Sequence, residues 1–241
     1  MFIRKVLLIL FISLIHLTGK AQTQELRTLF LQQISLNHDW TTIFDGGYYQ
    51  GLGDAEYHRW GLRNSTRYRL NGTFVVDAGF MYNRVNRPEV GIENEFRPHQ
   101  SLRIAYPRYP HMTINHRFRL EERFITHSYN DKTNITSRFR YQVGTRRAFD
   151  PDKNIEPNTM YWKASGEITF NVLGNIIDDY TFFQRGRYGL GLGYQLNTKL
   201  SIEGTLYYQR SYNNTNFDDF SDTTIFNFYI RNKIFWNKEK N

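Results

Sequence analysis

Guanidinium and carboxylate groups recur at every second position through residues 112–147. Asn115, Arg117, Arg119, Glu121 and Arg123 alternate with Ile114, His116, Phe118, Leu120 and Phe124. After a polar turn at 128–133, Arg138, Arg140, Gln142 and Arg146 alternate with Phe139, Tyr141 and Val143. Arg185 and Arg187 continue the pattern further on, and Glu203 adds an acid. Two chemistries suit such a face. Arg–carboxylate pairs can build a structural ladder that fills a narrow space. Arg groups left without acids can attract phosphate or carboxylate solutes. A symmetric turn would set Glu121 opposite Arg140, and Arg123 opposite Arg138.

Three smaller constellations need weighing. His99 and Ser101 stand two apart, so a strand places them on one face. Outer-membrane lipid hydrolases use such a spacing with a third polar residue from a neighbouring strand, a role Asn115 could take, and their sites face lipid. Here His99 and Ser101 share a face with Glu93, Glu95, Arg97 and Arg103, which argues against that reading. We therefore assign no catalytic residue. Asp150, Asp152 and Asn154 resemble part of a calcium loop but lack its glycine and closing Glu, so a plain turn is expected. Seven His residues are scattered without metal-ligand spacing, and we expect neither metal nor cofactor. Gly189, Gly191 and Gly193 share one face, which leaves room for a large neighbour such as Tyr207.

Period two means strand. Eleven candidate strands span 28–36, 40–50, 57–70, 73–84, 91–105, 112–127, 134–147, 160–172, 180–196, 199–211 and 223–236. The first two alternate poorly. Most exceed ten residues, enough for the roughly 9–11 tilted residues that cross a bilayer. Trp40, Tyr68, Tyr82, Tyr106, Trp162, Tyr180, Tyr194, Tyr208 and Trp236 lie near strand ends, where interfacial aromatic girdles sit. Asn71-Gly72 and Asn197-Thr198 read as tight periplasmic turns, with longer connections at 107–111 and 150–158 on the same side. The stretches 51–56, 85–90, 128–133, 174–179 and 212–222 become extracellular. Counted back from these, ten strands close a barrel from residue 40 onward. That leaves 28–36 as a surplus strand, a plug, or the sign of a twelfth strand.

The chain begins MFIRKVLLILFISLIHLTGKAQ. Arg4 and Lys5 precede an apolar run over 6–17, and Gly19 and Ala21 suit cleavage after residue 21. This reads as a secretory signal peptide at 1–21, followed by one domain at 22–241. Losing Arg4, Lys5 and Lys20 takes the formal net charge from +8 to +5. Aromatics reach 17%, Pro numbers 6 and Cys is absent, so no disulfide frame is possible. A basic balance can signal nucleic acid, but an exported chain with Arg at strand period does not fit that partner.

The segments HRFRLEERF (116–124), SRFRYQVGTRR (137–147) and FFQRGRYGLGLGYQL (182–196), with Glu203, Tyr207 and Tyr208, resemble the bacterial outer-membrane family called domain of unknown function 2490. ENEFRPHQSL (93–102) resembles the family's basic-aromatic strand, although Pro98 and His99 depart from it. The resemblance runs from about residue 29 to 236 and implies an outer-membrane barrel without an assigned activity. We therefore expect an all-β, antiparallel up-and-down transmembrane β-barrel of 10–12 strands, monomeric, in the outer membrane of a Gram-negative cell. Its lumen lining would include Arg117, Arg119, Glu121, Arg123, Arg138, Arg140, Arg185, Arg187 and Glu203. Its partners would be outer-membrane lipid and small anions. A structural barrel or a narrow anion-attracting channel heads the expectations. A lipid-modifying hydrolase on His99 and Ser101, and a binding or assembly role for surface loops such as 213–222, stand as alternatives.

Overall fold

Side chains of alternating polarity point to opposite faces of a strand, and that rule shapes the molecule. The computed structural model describes residues 23–53, 56–88, 91–128, 133–174, 182–212 and 220–236. The expected leader at 1–21, Tyr180 and residues 213–219 lie outside these. Eleven strands follow in order: β1 (Thr23–Ser35), β2 (Trp40–Leu52), β3 (His58–Arg69), β4 (Phe74–Arg87), β5 (Gly91–Tyr109), β6 (Met112–His127), β7 (Thr133–Ala148), β8 (Thr159–Gly174), β9 (Phe183–Gln195), β10 (Leu200–Tyr212) and β11 (Phe220–Phe235). Each pairs with its sequence neighbours, and β1 closes the barrel against β11. The fold is all-β and up-and-down, as the alternation predicts.

The closing seam differs from the expectation. β1 and β11 run parallel, in register from Thr23↔Thr223 to Ser35↔Phe235, while β1 pairs antiparallel with β2. An odd number of alternating strands forces this, because the first and last point the same way. Bacterial single-chain barrels usually have an even count. The segment expected as surplus or plug is thus a strand of the wall. The poor alternation of β1 and β2 has a physical cause: Leu31 of β1 and Ile43 of β2 are buried inside, whereas Gln32 of β1 faces outward and hydrogen-bonds Asn232 across the seam at 2.9 Å.

One barrel end carries the connections 36–39, 70–73, 110–111, 149–158 and 196–199; the other carries the remaining loops. Three of the former are built alike. Asn37 Oδ1 accepts the backbone N–H groups of Asp39 and Trp40 at 2.9 and 2.8 Å. Asn71 does so for Thr73 and Phe74, and Asn197 for Lys199 and Leu200, all at 2.8–2.9 Å. A short amide side chain thereby replaces a backbone partner in each turn. The long turn expected at 107–111 is corrected: β5 continues to Tyr109 past a register shift between Ala105 and Arg108. The Arg108 guanidinium pins this stretch by donating to the carbonyls of Ala105 and Gly72. Pro98 lies in β5 where its ladder with β6 is interrupted, between the pairs Phe96↔Phe124 and His99↔Glu121, as suits a residue that has no N–H to donate.

The barrel is inverted relative to a soluble domain. Buried side chains include Asp45, Asp77, Glu95, Arg119, Glu121, Arg138, Glu167 and Glu203. Large apolar side chains face outward: Leu62 is 66% and Trp236 72% exposed, and Phe44, Phe80, Phe96, Leu192 and Phe228 are exposed too. Aromatic pairs mark both ends of this belt, with ring centroids 4.7 Å apart for Trp40–Tyr68 and again for Tyr48–Trp60. Tyr208 is the exception among the described residues of the expected girdle. It is buried, and its hydroxyl accepts a hydrogen bond from Arg210. No described helix is long and apolar enough to cross a membrane, a statement that does not bear on strands.

Candidate functional site

The polar face of the central hairpin turns into the barrel. Glu121 is 1% exposed and stands opposite Arg138, while Arg119 stands opposite Arg140 and Arg123 opposite Thr136. The register is therefore shifted by two residues from the symmetric turn expected, because the connection is centred one residue earlier. A shift of two keeps every side chain on its face, so the guanidinium groups still meet the acid. Arg138 donates to Glu121 Oε2 at 3.0 Å and Arg140 to Oε1 at 2.6 Å. Arg97 and Arg119 approach the same carboxylate at 3.6 and 3.8 Å.

Other acids are shared in the same way. Glu167 takes two bonds from Arg140 at 2.7 and 2.8 Å and one from Arg117 at 3.2 Å, with Arg187 at 3.9 Å. Glu95 pairs with Arg97 at 2.6 Å and also with Arg123. Asp77 pairs with Arg103 at 2.6 Å. On the β2–β3 side Arg63 bonds Asp45, and Arg27 bonds Glu25 at 2.7 Å. Arg59 stacks 3.9 Å above the Tyr49 ring. The acids are few, and most serve two or more cations: Glu121, Glu167, Glu95, Asp77 and Glu25 each do, while Asp45 pairs with Arg63.

A cavity of about 360 Å³ opens among these groups. Arg117, Arg119, Glu121, Arg123, Arg138, Arg140, Arg185 and Arg187 all line it. Among its described lining residues, twelve Arg face only Asp45, Glu93, Glu95 and Glu121. Glu203, grouped with the lining by sequence, lies elsewhere in the barrel. It accepts from Tyr161 at 2.8 Å and Lys163 at 2.6 Å, with Arg231 at 3.4 Å. A second cavity, about 580 Å³, sits at the end of the barrel that carries turn 110–111, where Arg108, His111, Asn115, Arg146 and Asn154 line it. The two cavities share no lining residue. On β6, Arg117 borders the first and Asn115, the next inward position, borders the second.

Two of the three inward glycines of β9 make room for tyrosines, and the third, Gly191, lies against the Gly204 carbonyl and Thr205. A Cβ on Gly189 would stand 2.3 Å from the Tyr207 ring, and one on Gly193 would stand 2.3 Å from the Tyr161 ring. Tyr161 is fully buried. Both glycines therefore act as sockets for bulky side chains that fill the bore.

His99 and Ser101 are buried inside the barrel. Ser101 Oγ donates to Asp77 Oδ1 at 3.2 Å and accepts from Arg119 Nε at 2.9 Å. Their strand neighbours across the ladder are Glu121 and Arg119, not Asn115. The hydrolase arrangement needs these groups on the outer face, and they are not there. Asp150 accepts the Asp152 N–H at 3.1 Å and pairs with Lys153 at 3.4 Å, as a turn does. Among the described residues no group of three or more His, Asp or Glu could hold a metal.

Sequence reasoning passed over Arg27, Asp45 and Tyr49 as lining residues, because their strands carry apolar residues inside. The signal available was the i, i+2 spacing of Glu25 and Arg27. It also passed over the turn at Asn37, although Leu36-Asn37, Leu70-Asn71 and Leu196-Asn197 repeat the same dipeptide.

Fold and interior together define a class: a closed β-barrel with an apolar outer belt and an Arg-rich, acid-poor interior. Residues 28–221 match the family described as protein of unknown function (DUF2490), and the chain belongs to that family. No curated protein matches it.

Proposed function

We propose that this protein is an outer-membrane β-barrel whose basic interior draws small anions into a narrow lumen. The observation that carries the reading is the inversion of polarity: exposed apolar side chains outside, oversubscribed carboxylates among guanidinium groups inside. In water such an outer face would be a large adhesive patch. In lipid it is the favoured surface, and aromatic residues at its two ends suit the interfaces. On β4, the outward residues Phe74, Val76, Ala78, Phe80 and Tyr82 span nine positions, close to the roughly 9–11 that a tilted strand needs to cross. Closure leaves no unpaired strand edge, which supports a monomer. We assign no catalytic step to the interior.

The test is conductance of the refolded protein in planar bilayers. We expect small steps with chloride preferred over potassium. Arg117 lines the first cavity, and the next inward residue of β6, Asn115, lines the second, so Arg117→Ser should enlarge the steps and reduce their selectivity. Cation-selective steps would sink the reading. So would electrical silence from a protein that still runs as a folded, heat-modifiable band; the barrel would then be a filled, structural one.

A further inference from the structure

We infer that the interior holds a defined seat for a phosphate-type oxyanion, formed by Arg185 and Arg187 with Arg138 beside them. The inference rests on the proposed anion-attracting lumen and names its ligand class. Arg185 and Arg187 are successive inward residues of β9, and both line the 360 Å³ cavity. Most lining guanidinium groups reach a carboxylate directly. These two instead share a neutral oxygen: Gln209 Oε1 accepts from Arg187 Nε at 3.0 Å and Nη2 at 2.6 Å, and from Arg185 Nη1 at 3.4 Å. Arg185 has no carboxylate within ion-pair distance among the described residues, and Arg187 reaches Glu167 only at 3.9 Å.

The neighbourhood is built rather than fluid. Gln209 is buried, and its Nε2 donates to Ser211 Oγ at 3.1 Å, which turns the amide oxygen toward the two guanidinium groups. The register shift between Thr169 and Phe170 on the β8–β9 ladder accompanies a contact from Gln184 Oε1 to Arg138 Nη1 at 3.2 Å, next to Arg185. The Nε atoms of Arg138 and Arg185 are buried and have no hydrogen-bond partner among the described residues. Planar guanidinium forks with donors to spare match a tetrahedral dianion better than a halide, since two parallel N–H bonds fit two oxygens of one phosphate. The cavity volume admits inorganic phosphate or a small phosphorylated solute. A lipid phosphate reaching over the rim carries the same chemistry.

The experiment is calorimetric titration of refolded protein in neutral detergent micelles with inorganic phosphate, in a chloride background. Wild type should bind. Arg185→Gln should weaken binding about tenfold, the loss expected for a charge-assisted bond. Gln209→Glu, close in shape, places a carboxylate where the neutral oxygen stands, so it should abolish binding while the heat-modifiable band persists. Arg146→Gln, at the other cavity, should bind as wild type. In nanodiscs, phosphate binding that persists with phosphatidylcholine but disappears with phosphatidylglycerol would assign the seat to a lipid headgroup. Binding in both would assign it to a solute. Absence of binding to wild type, or undiminished binding to Gln209→Glu, overturns the inference. Anion-selective conductance without phosphate binding would remove the seat and leave the proposed lumen. Phosphate binding without conductance would do the reverse.

Discussion

Glu121 is the residue on which the interior depends most. Four guanidinium groups lie within 3.8 Å of one carboxylate that is almost wholly shielded from water. Removing one partner of a buried ion network strands the others, at a cost of roughly 3–5 kcal/mol. We expect Glu121→Gln to lower barrel stability by about that amount, read as the urea midpoint of tryptophan fluorescence in micelles. Glu122→Gln, one residue on and facing outward, should move the midpoint little. Equal midpoints for the two variants would refute the network's role. The sequence makes the Arg and Glu positions of β6, β7 and β9 legible as one face, because period two leaves no other place for them. It does not disclose which Arg meets which acid. That choice depends on a two-residue register set by the 128–132 connection, and on long side chains that reach diagonally as readily as across.

At the scale of elements, β9 is a strand shaped by what its neighbours insert. Gly189 and Gly193 accept the rings of Tyr207 and Tyr161, so the bore beside β8 and β10 is filled by aromatic side chains. Gly193→Ala should destabilise the barrel by about 1–3 kcal/mol, the usual cost of overpacking. Combining it with Tyr161→Ala should recover part of that loss. A midpoint for Gly193→Ala equal to that of the parent would show the close approach to be dispensable. Strand existence is legible from periodicity for every element from β3 onward. β1 and β2 are harder, because Leu29, Leu31 and Ile43 reverse the usual rule that the interior of a wide barrel is polar. The extension of β5 to Tyr109 hides behind Pro107, a residue that ordinarily ends a strand, and is held by the Arg108 guanidinium, which donates to the Ala105 and Gly72 carbonyls.

For the whole molecule, the parallel seam fixes where the chain enters and leaves. With eleven strands, Thr23 lies at the end that carries the 53–57 and 128–132 connections, and Phe235 lies at the opposite end with the three asparagine turns. An even-stranded barrel would return both termini to one side. In an outer membrane with its short turns inward, the residue that opens β1 therefore faces the outside of the cell. This chain contains no cysteine, so a single introduced thiol reports its own compartment without background. On intact cells, a membrane-impermeant maleimide should label Gln24→Cys and leave His38→Cys untouched until the envelope is broken. Equal labelling of both would contradict the orientation. A peptide tag fused ahead of β1 would then be displayed to antibodies on living cells, while one fused beyond β11 would stay hidden in the periplasm.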